Sequence, residues 1–291
     1  MIPQNNHLSP LPWVKTLDEQ AHRQTYAYGR IHPLYTEANF MLPFQIIYEG
    51  AAPLDVSEVL LYRSDDTLVG DITSRLFTTG LYVSDFTDYS VIIYPGLLPV
   101  SVRFDDGQYY MKMTTSAGVA FSEVFTVVQS VAGYVKVEWW DDRDFLFDGG
   151  RVVYDGQYRN RVYLATEIGM PEYTFDEEGE ERDGVFFPVK QLSEKTYRFT
   201  FLSPEYLCDV LRLVRMADHC VVTDKHGRQY MCNTFLMTPK WQPQGYLAAV
   251  DVEFQTNTVM KKTGWVWYPE ERGDFNNDFN NDFNITDNNE E

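Results

Sequence analysis

Ser203-Pro204-Glu205-Tyr206-Leu207-Cys208-Asp209-Val210-Leu211-Arg212-Leu213-Val214 is the clearest helical stretch in this 291-residue chain, and its reading decides the fold. Ser203 is expected to cap the helix, Pro204 to occupy its first turn and Glu205 to place a carboxylate near the positive end of the helix dipole. Leu207, Val210, Leu211 and Val214 recur at the spacing that puts four apolar side chains on one helical face. That predicts a helix over 204–217 lying across a sheet. Its surroundings, Lys195 to Lys262, otherwise read as strands and one long hairpin. The expectation is a mainly β protein in which one helix flanks an antiparallel sheet.

Working outward, the hairpin follows from Asp224-Lys225-His226-Gly227-Arg228. A three-residue loop with Gly227 in the left-handed conformation would set Cys220 opposite Cys232. Zinc would want further ligands at short spacing, and only His219 and His226 are near in sequence, so small buried hydrophobes are the expected role of the cysteines. Three cysteines in a chain of this length, with no basic and apolar leader at Met1 to Asn6, predict a reducing compartment and no disulfide framework.

In Val250, Val252 and Phe254, set against Asp251, Glu253 and Gln255, apolar and polar residues alternate at period two, the pattern of a strand with one buried face. Short apolar runs also mark the earlier part of the chain: Met41 to Tyr48, Val56 to Tyr62, Tyr89 to Tyr94, Gly107 to Thr114 and Val119 to Val128. Turn signals separate them, among them Asp65-Asp66, Pro95-Gly96 and Ala117-Gly118. The organisation expected is an N-terminal arm over 1–39, an immunoglobulin-like β-sandwich over 40–130 and a β domain over 131–268 carrying the helix. Residues 269–291 form a low-complexity tail in which Asp274-Phe275-Asn276-Asn277 is the first of three similar units. Period four isolates Phe275, Phe279 and Phe283 in a polar background, which suits disorder or three aromatic pegs that dock in a partner.

Composition narrows the function. The 43 acidic residues against 24 basic ones give a formal charge of -19. A surface so acidic repels phosphate, which excludes a conventional grip on nucleic acid and leaves either solubility or a wall along which DNA passes without sticking. No apolar run is long enough for a membrane span. The 20 Tyr and 19 Phe fit half-buried strand positions and large contact surfaces.

Candidate chemistry is sparse. Asp176-Glu177-Glu178-Gly179-Glu180-Glu181-Arg182-Asp183-Gly184 lacks the ligand order of a calcium loop, so Glu177, Glu178, Glu180 and Glu181 are expected on a solvated loop, with a loop that forms salt bridges between subunits as the next choice. Asp141-Asp142-Arg143-Asp144 beside Trp139-Trp140 would suit a sugar site or a strand end running into a turn. No nucleophile elbow, zinc-protease pair, phosphate loop or dinucleotide fingerprint is present. No catalytic residue, cofactor or metal is expected.

From Tyr134 to Gly264 the sequence resembles structural tail proteins, of ring and distal-tail type, from phages and prophages of gut Bacteroidetes, including crAss-like phages. Val137-Glu138-Trp139-Trp140-Asp141, Glu178 to Gly184, Ser193-Glu194-Lys195, Pro204 to Arg212 and Pro239-Lys240-Trp241-Gln242 carry the resemblance. It implies a non-enzymatic virion protein, assembled in the bacterial cytoplasm as a homo-oligomeric ring of the tail or head-to-tail barrel. Other tail or portal proteins would be its partners, with transient, non-specific passage of DNA. Two alternatives remain: a carbohydrate-binding or adhesion protein at a phage or cell surface, and a hydrolase using Asp141, Asp144 or the acidic stretch.

Overall fold

The computed structural model describes residues 9–16, 25–26, 29–30, 34–38, 40–80, 82, 88–99, 102, 105–130, 132–147, 150–154, 157–242, 247–256 and 260–263. The protein is mainly β, with one α-helix among the described residues. Contacts divide it into two units, one of residues 1–172 with 195–257 and one of residues 173–194 with 258–291.

In the first unit, strands Phe44–Glu49, Tyr89–Tyr94 and Phe77–Thr78 make a small antiparallel sheet. Strands Val56–Arg63, Gly107–Thr115, Gly118–Ser122 and Phe125–Val128 belong to a larger one, in which Gly107–Thr115 pairs with each of the other three. Phe44, Ile46, Ile92 and Tyr94 of the first sheet share one buried cluster with Val59, Leu61, Tyr109, Met111 and Phe125 of the second. The sandwich follows from alternation, since each strand turns one set of apolar side chains inward. The expected run Val119 to Val128 is two strands, broken at Glu123 and Val124.

The described parts of the N-terminal segment are built into this sheet. Trp13–Val14 pairs with Ser122 and Phe121, and Tyr35–Glu37 runs parallel to Phe125–Val128 while Tyr35 also faces Tyr163. Through Tyr35 the larger sheet continues into Asn160–Leu164, Val135–Trp140, His219–Thr223, Gln229–Trp241, Leu247–Thr256 and the latter part of Val185–Pro204. Ser130 to Gly133 thus joins two strands of one unit. A second link spans 108 residues: Gln45, 1% exposed, accepts a 3.0 Å hydrogen bond from the Val153 N–H and donates to the Val153 carbonyl, as a neighbouring strand would.

The helix is shorter than its apolar spacing predicts. Glu205–Leu211 is α-helical and Arg212–Met216 continues as a tighter 3-10 turn. Ser203 does not cap it. Ser203 and Pro204 are still paired with Ala248 and Leu247 as strand residues, so Pro204 takes the capping position and the Ser203 hydroxyl donates to the Pro204 carbonyl. Leu207, Val210, Leu211 and Val214 are at most 1% exposed and join the main cluster, while Leu213 joins a second cluster with Val91, Ile93, Val152, Val153 and Tyr158. Narrowing to three residues per turn is what buries neighbours 213 and 214 together.

The following hairpin pairs Val221 with Met231, Val222 with Tyr230 and Thr223 with Gln229. Asp224 Oδ1 accepts the His226 and Arg228 N–H groups, each at 2.9 Å, and Gly227 has φ +78°.

Leu211→Ala should cost about 2 to 5 kcal/mol in urea unfolding, the range for a leucine truncated inside a packed core. A loss below about 0.5 kcal/mol, the scale of exposed substitutions, would be incompatible with this packing.

Candidate functional site

Strand Val135–Trp140 has neighbours on both edges, Asn160–Leu164 and His219–Thr223. Val135, Val137 and Trp139 are fully buried, which directs Lys136, Glu138 and Trp140 to the opposite face. There Glu138 receives Lys136 Nζ and Arg161 Nε, both at 2.8 Å. Burial alone would raise the Glu138 pKa, but the hydrogen bond from Lys136 and the charge of Arg161 win and hold the carboxyl below its ordinary value.

At the end of this strand lies the richest polar cluster that the sequence singled out. Trp140 sits opposite His219, with ring centroids 5.0 Å apart and planes 21° from parallel. The Arg159 guanidinium lies 4.0 Å from the Trp140 ring centre. Arg159 precedes the strand that pairs along the other edge, so arginine and imidazole approach the indole from opposite sides. Cation–π attraction and stacking occupy both faces of Trp140. A tryptophan sugar platform needs one face open, and this one has neither.

The neighbouring carboxylates act on the backbone. Asp141 Oδ1 accepts the Asp218 N–H at 2.7 Å, and Asp218 Oδ2 accepts the Asp142 N–H at 3.2 Å, a reciprocal clamp across two strand ends. Asp142 Oδ1 is 2.9 Å from His219 Nε2. Burial first, opposed by the Asp218 N–H and supported by the Asp218 charge, raises the Asp141 pKa. The arrangement resembles a fastener for two strands more than an acid and base pair spanning a cleft. Among the described residues, no group of three or more His, Cys, Asp or Glu side chains is placed to hold a metal ion.

The acidic stretch is a strand where a loop was expected. Glu172–Arg182 runs antiparallel against Val185–Pro204, and Asp183 and Gly184 have φ of +54° and +76°. Positive φ at both central positions marks a tight hairpin turn, whose twist matches that of the arms it joins. Glu177, Glu178, Glu180 and Glu181 are all exposed. Glu178 meets Lys190 at 3.3 Å and Glu177 accepts from Gln191 at 2.8 Å, both within the second unit. A Cβ at Gly179 would collide with the Phe187 carbonyl oxygen and Phe186 ring, so the arms approach closely there. Phe175, Val185, Phe186, Phe187 and Val189 are also exposed, by 42% to 69%. A continuous apolar run looks like a buried strand, yet among the described residues of this unit no hydrophobic side chain is buried. Phe275, Phe279 and Phe283 lie outside the described residues.

No protein-family model matches this chain, and no curated protein matches it. Among solved structures, a crystal structure of the ZIG-8–RIG-5 IG1–IG1 heterodimer is similar at 10% identity and a TM-score of 0.16, over 38% of this chain and 98% of that one. A similarity at that score carries no argument about function.

Because folding raises the Asp141 pKa, this group favours the folded state below its unfolded value and loses that contribution as pH rises through its folded value. Asp141→Asn keeps an acceptor for the Asp218 N–H without the charge. It should match or exceed wild type in thermal melts at pH 7, with the difference shrinking toward pH 4, whereas Asp141→Ala should lose about 1 to 2 kcal/mol. An Asn variant as unstable as the Ala variant at pH 7 would refute the clamp.

Proposed function

We propose that this chain is a non-enzymatic structural protein of a phage virion, a ring component of the tail or head-to-tail barrel that surrounds a DNA passage. The observation that carries the reading is the second unit's hairpin. It exposes five large apolar side chains among four glutamates, the composition of a contact surface with a charged rim. Three further considerations support it. The chain resembles phage tail proteins in phrasing, its charge of -19 suits a conduit that must not trap phosphate, and its polar cluster at Trp140 is consumed by internal fastening. Among the described residues no helix is long and apolar enough to cross a membrane. Partners on this reading are further copies of the chain and other tail or portal proteins. Its place is the virion, after assembly in the host cytoplasm.

Imaging of the assembled particle tests the ring. Density for this chain encircling the DNA path, with Asp and Glu outnumbering Lys and Arg toward the lumen, is the expected result. Finding it as a peripheral fibre would overturn the conduit.

The hairpin has its own test. Changing Glu177, Glu178, Glu180 and Glu181 together to Gln should leave the melting temperature of the monomer within about 2 °C, because exposed ion pairs contribute little. The same variant should alter assembly measured by native mass spectrometry, and wild-type assembly should be salt-sensitive. Assembly identical to wild type at every salt concentration would remove the hairpin from the interface.

A further inference from the structure

Cys220 and Cys232 lie where two pairings of one strand meet. Residues 229–231 of the strand Gln229–Trp241 pair with His219–Thr223, and from Cys232 onward the same strand pairs with Leu247–Thr256. One step past the last pair of that ladder, Val221 with Met231, come Cys220 on one strand and Cys232 on the other. Opposed residues of antiparallel strands have Cα atoms about 4.5 to 5.5 Å apart, inside the range that a disulfide spans. Both cysteines line one cavity of about 370 Å³, whose walls also include Arg215, Thr234, Glu253 and Gln255. Cys220 is buried and Cys232 half-buried, and both thiols are free.

We propose that Cys220 and Cys232 form a dithiol modification site, which small disulfides entering this cavity convert to a cross-strand disulfide. The Cys232 thiolate, the more accessible of the two, attacks one sulfur of the small disulfide, forms a mixed disulfide and expels one thiolate. Cys220 then gives its proton to solvent and attacks the Cys232 sulfur, closing the protein disulfide and expelling the second thiolate. Two protein thiols are oxidised and one small disulfide is reduced to two thiols. Contact between the sulfurs supports the pairing: the hydrogen bond with Cys232, and then burial, push the Cys220 thiol far up, so Cys220 stays protonated until the first exchange at Cys232. Cys208, whose thiol burial also pushes up, is outside the cavity lining and has no part in the reaction. The site is independent of the virion reading.

The test treats the full-length folded protein with oxidised glutathione and counts thiols. Of the three thiols in the chain, two should disappear while the intact mass falls by two hydrogens, and proteolysis should yield a peptide cross-linking 220 to 232. Phenylarsine oxide, which bridges paired thiols, should bind the untreated protein one to one and protect it from that oxidation. Cys208→Ser should behave as wild type. Stable glutathione adducts without closure, a cross-link involving Cys208, cross-linked dimers alone, or three thiols surviving treatment would each overturn the proposal. Because these readouts use the wild-type chain, they stand even if Cys220→Ser fails to fold.

Discussion

Pairing along both edges of Val135–Trp140 is the constraint on which the first unit depends. Two-sided pairing gives Lys136, Val137, Glu138 and Trp139 a cross-strand neighbour on each side, and alternation then assigns each residue of the strand a face. The inward set, Val135, Val137 and Trp139, is fully buried. Burial of each such side chain contributes about 1.5 to 3 kcal/mol, so a register slip of one residue would exchange that gain for buried Lys136 and Glu138. The outward set pays no such penalty because Glu138 is matched by Lys136 and Arg161, and Trp140 is covered by Arg159 and His219.

From this strand the main cluster extends in both chain directions. It takes in Phe44, Tyr109 and Phe125 before it, and Phe199, Leu211 and Phe254 after it. The Gln45 side chain adds a polar tie at a place where two apolar clusters need a backbone partner for Val153. A leucine at 45 would leave that N–H and carbonyl unpaired inside the protein, a cost of about 1 to 3 kcal/mol for each group.

Local periodicity made much of this legible. Val250, Val252 and Phe254 announce a one-faced strand, the Leu207 to Val214 spacing announces the helix, and Gly227 announces the hairpin that sets Cys220 against Cys232. What was misread depends on partners distant in sequence. Val185–Pro204 runs as one strand, with Met260–Thr263 beside residues 190–193 and Leu247–Thr256 beside 196–204. Ser203 looks like a cap, yet it is held in a ladder with Ala248. The Trp140 cluster looked open because a sequence shows the indole and the carboxylates but not Arg159 and His219 closing over its two faces.

The carboxylates of Glu172–Arg182 have a consequence for how this protein survives crowding. Among the described residues the strand ends the order of its sheet, and an edge of eleven residues is the kind of template on which chains add to one another as fibrils. Stacking identical copies in register would repeat each of Asp176, Glu177, Glu178, Glu180 and Glu181 every 4.8 Å or so along the stack, and that repulsion grows with every chain added. Exposed phenylalanines can therefore stay on this hairpin at high local concentration, because the edge beside them refuses its own likeness.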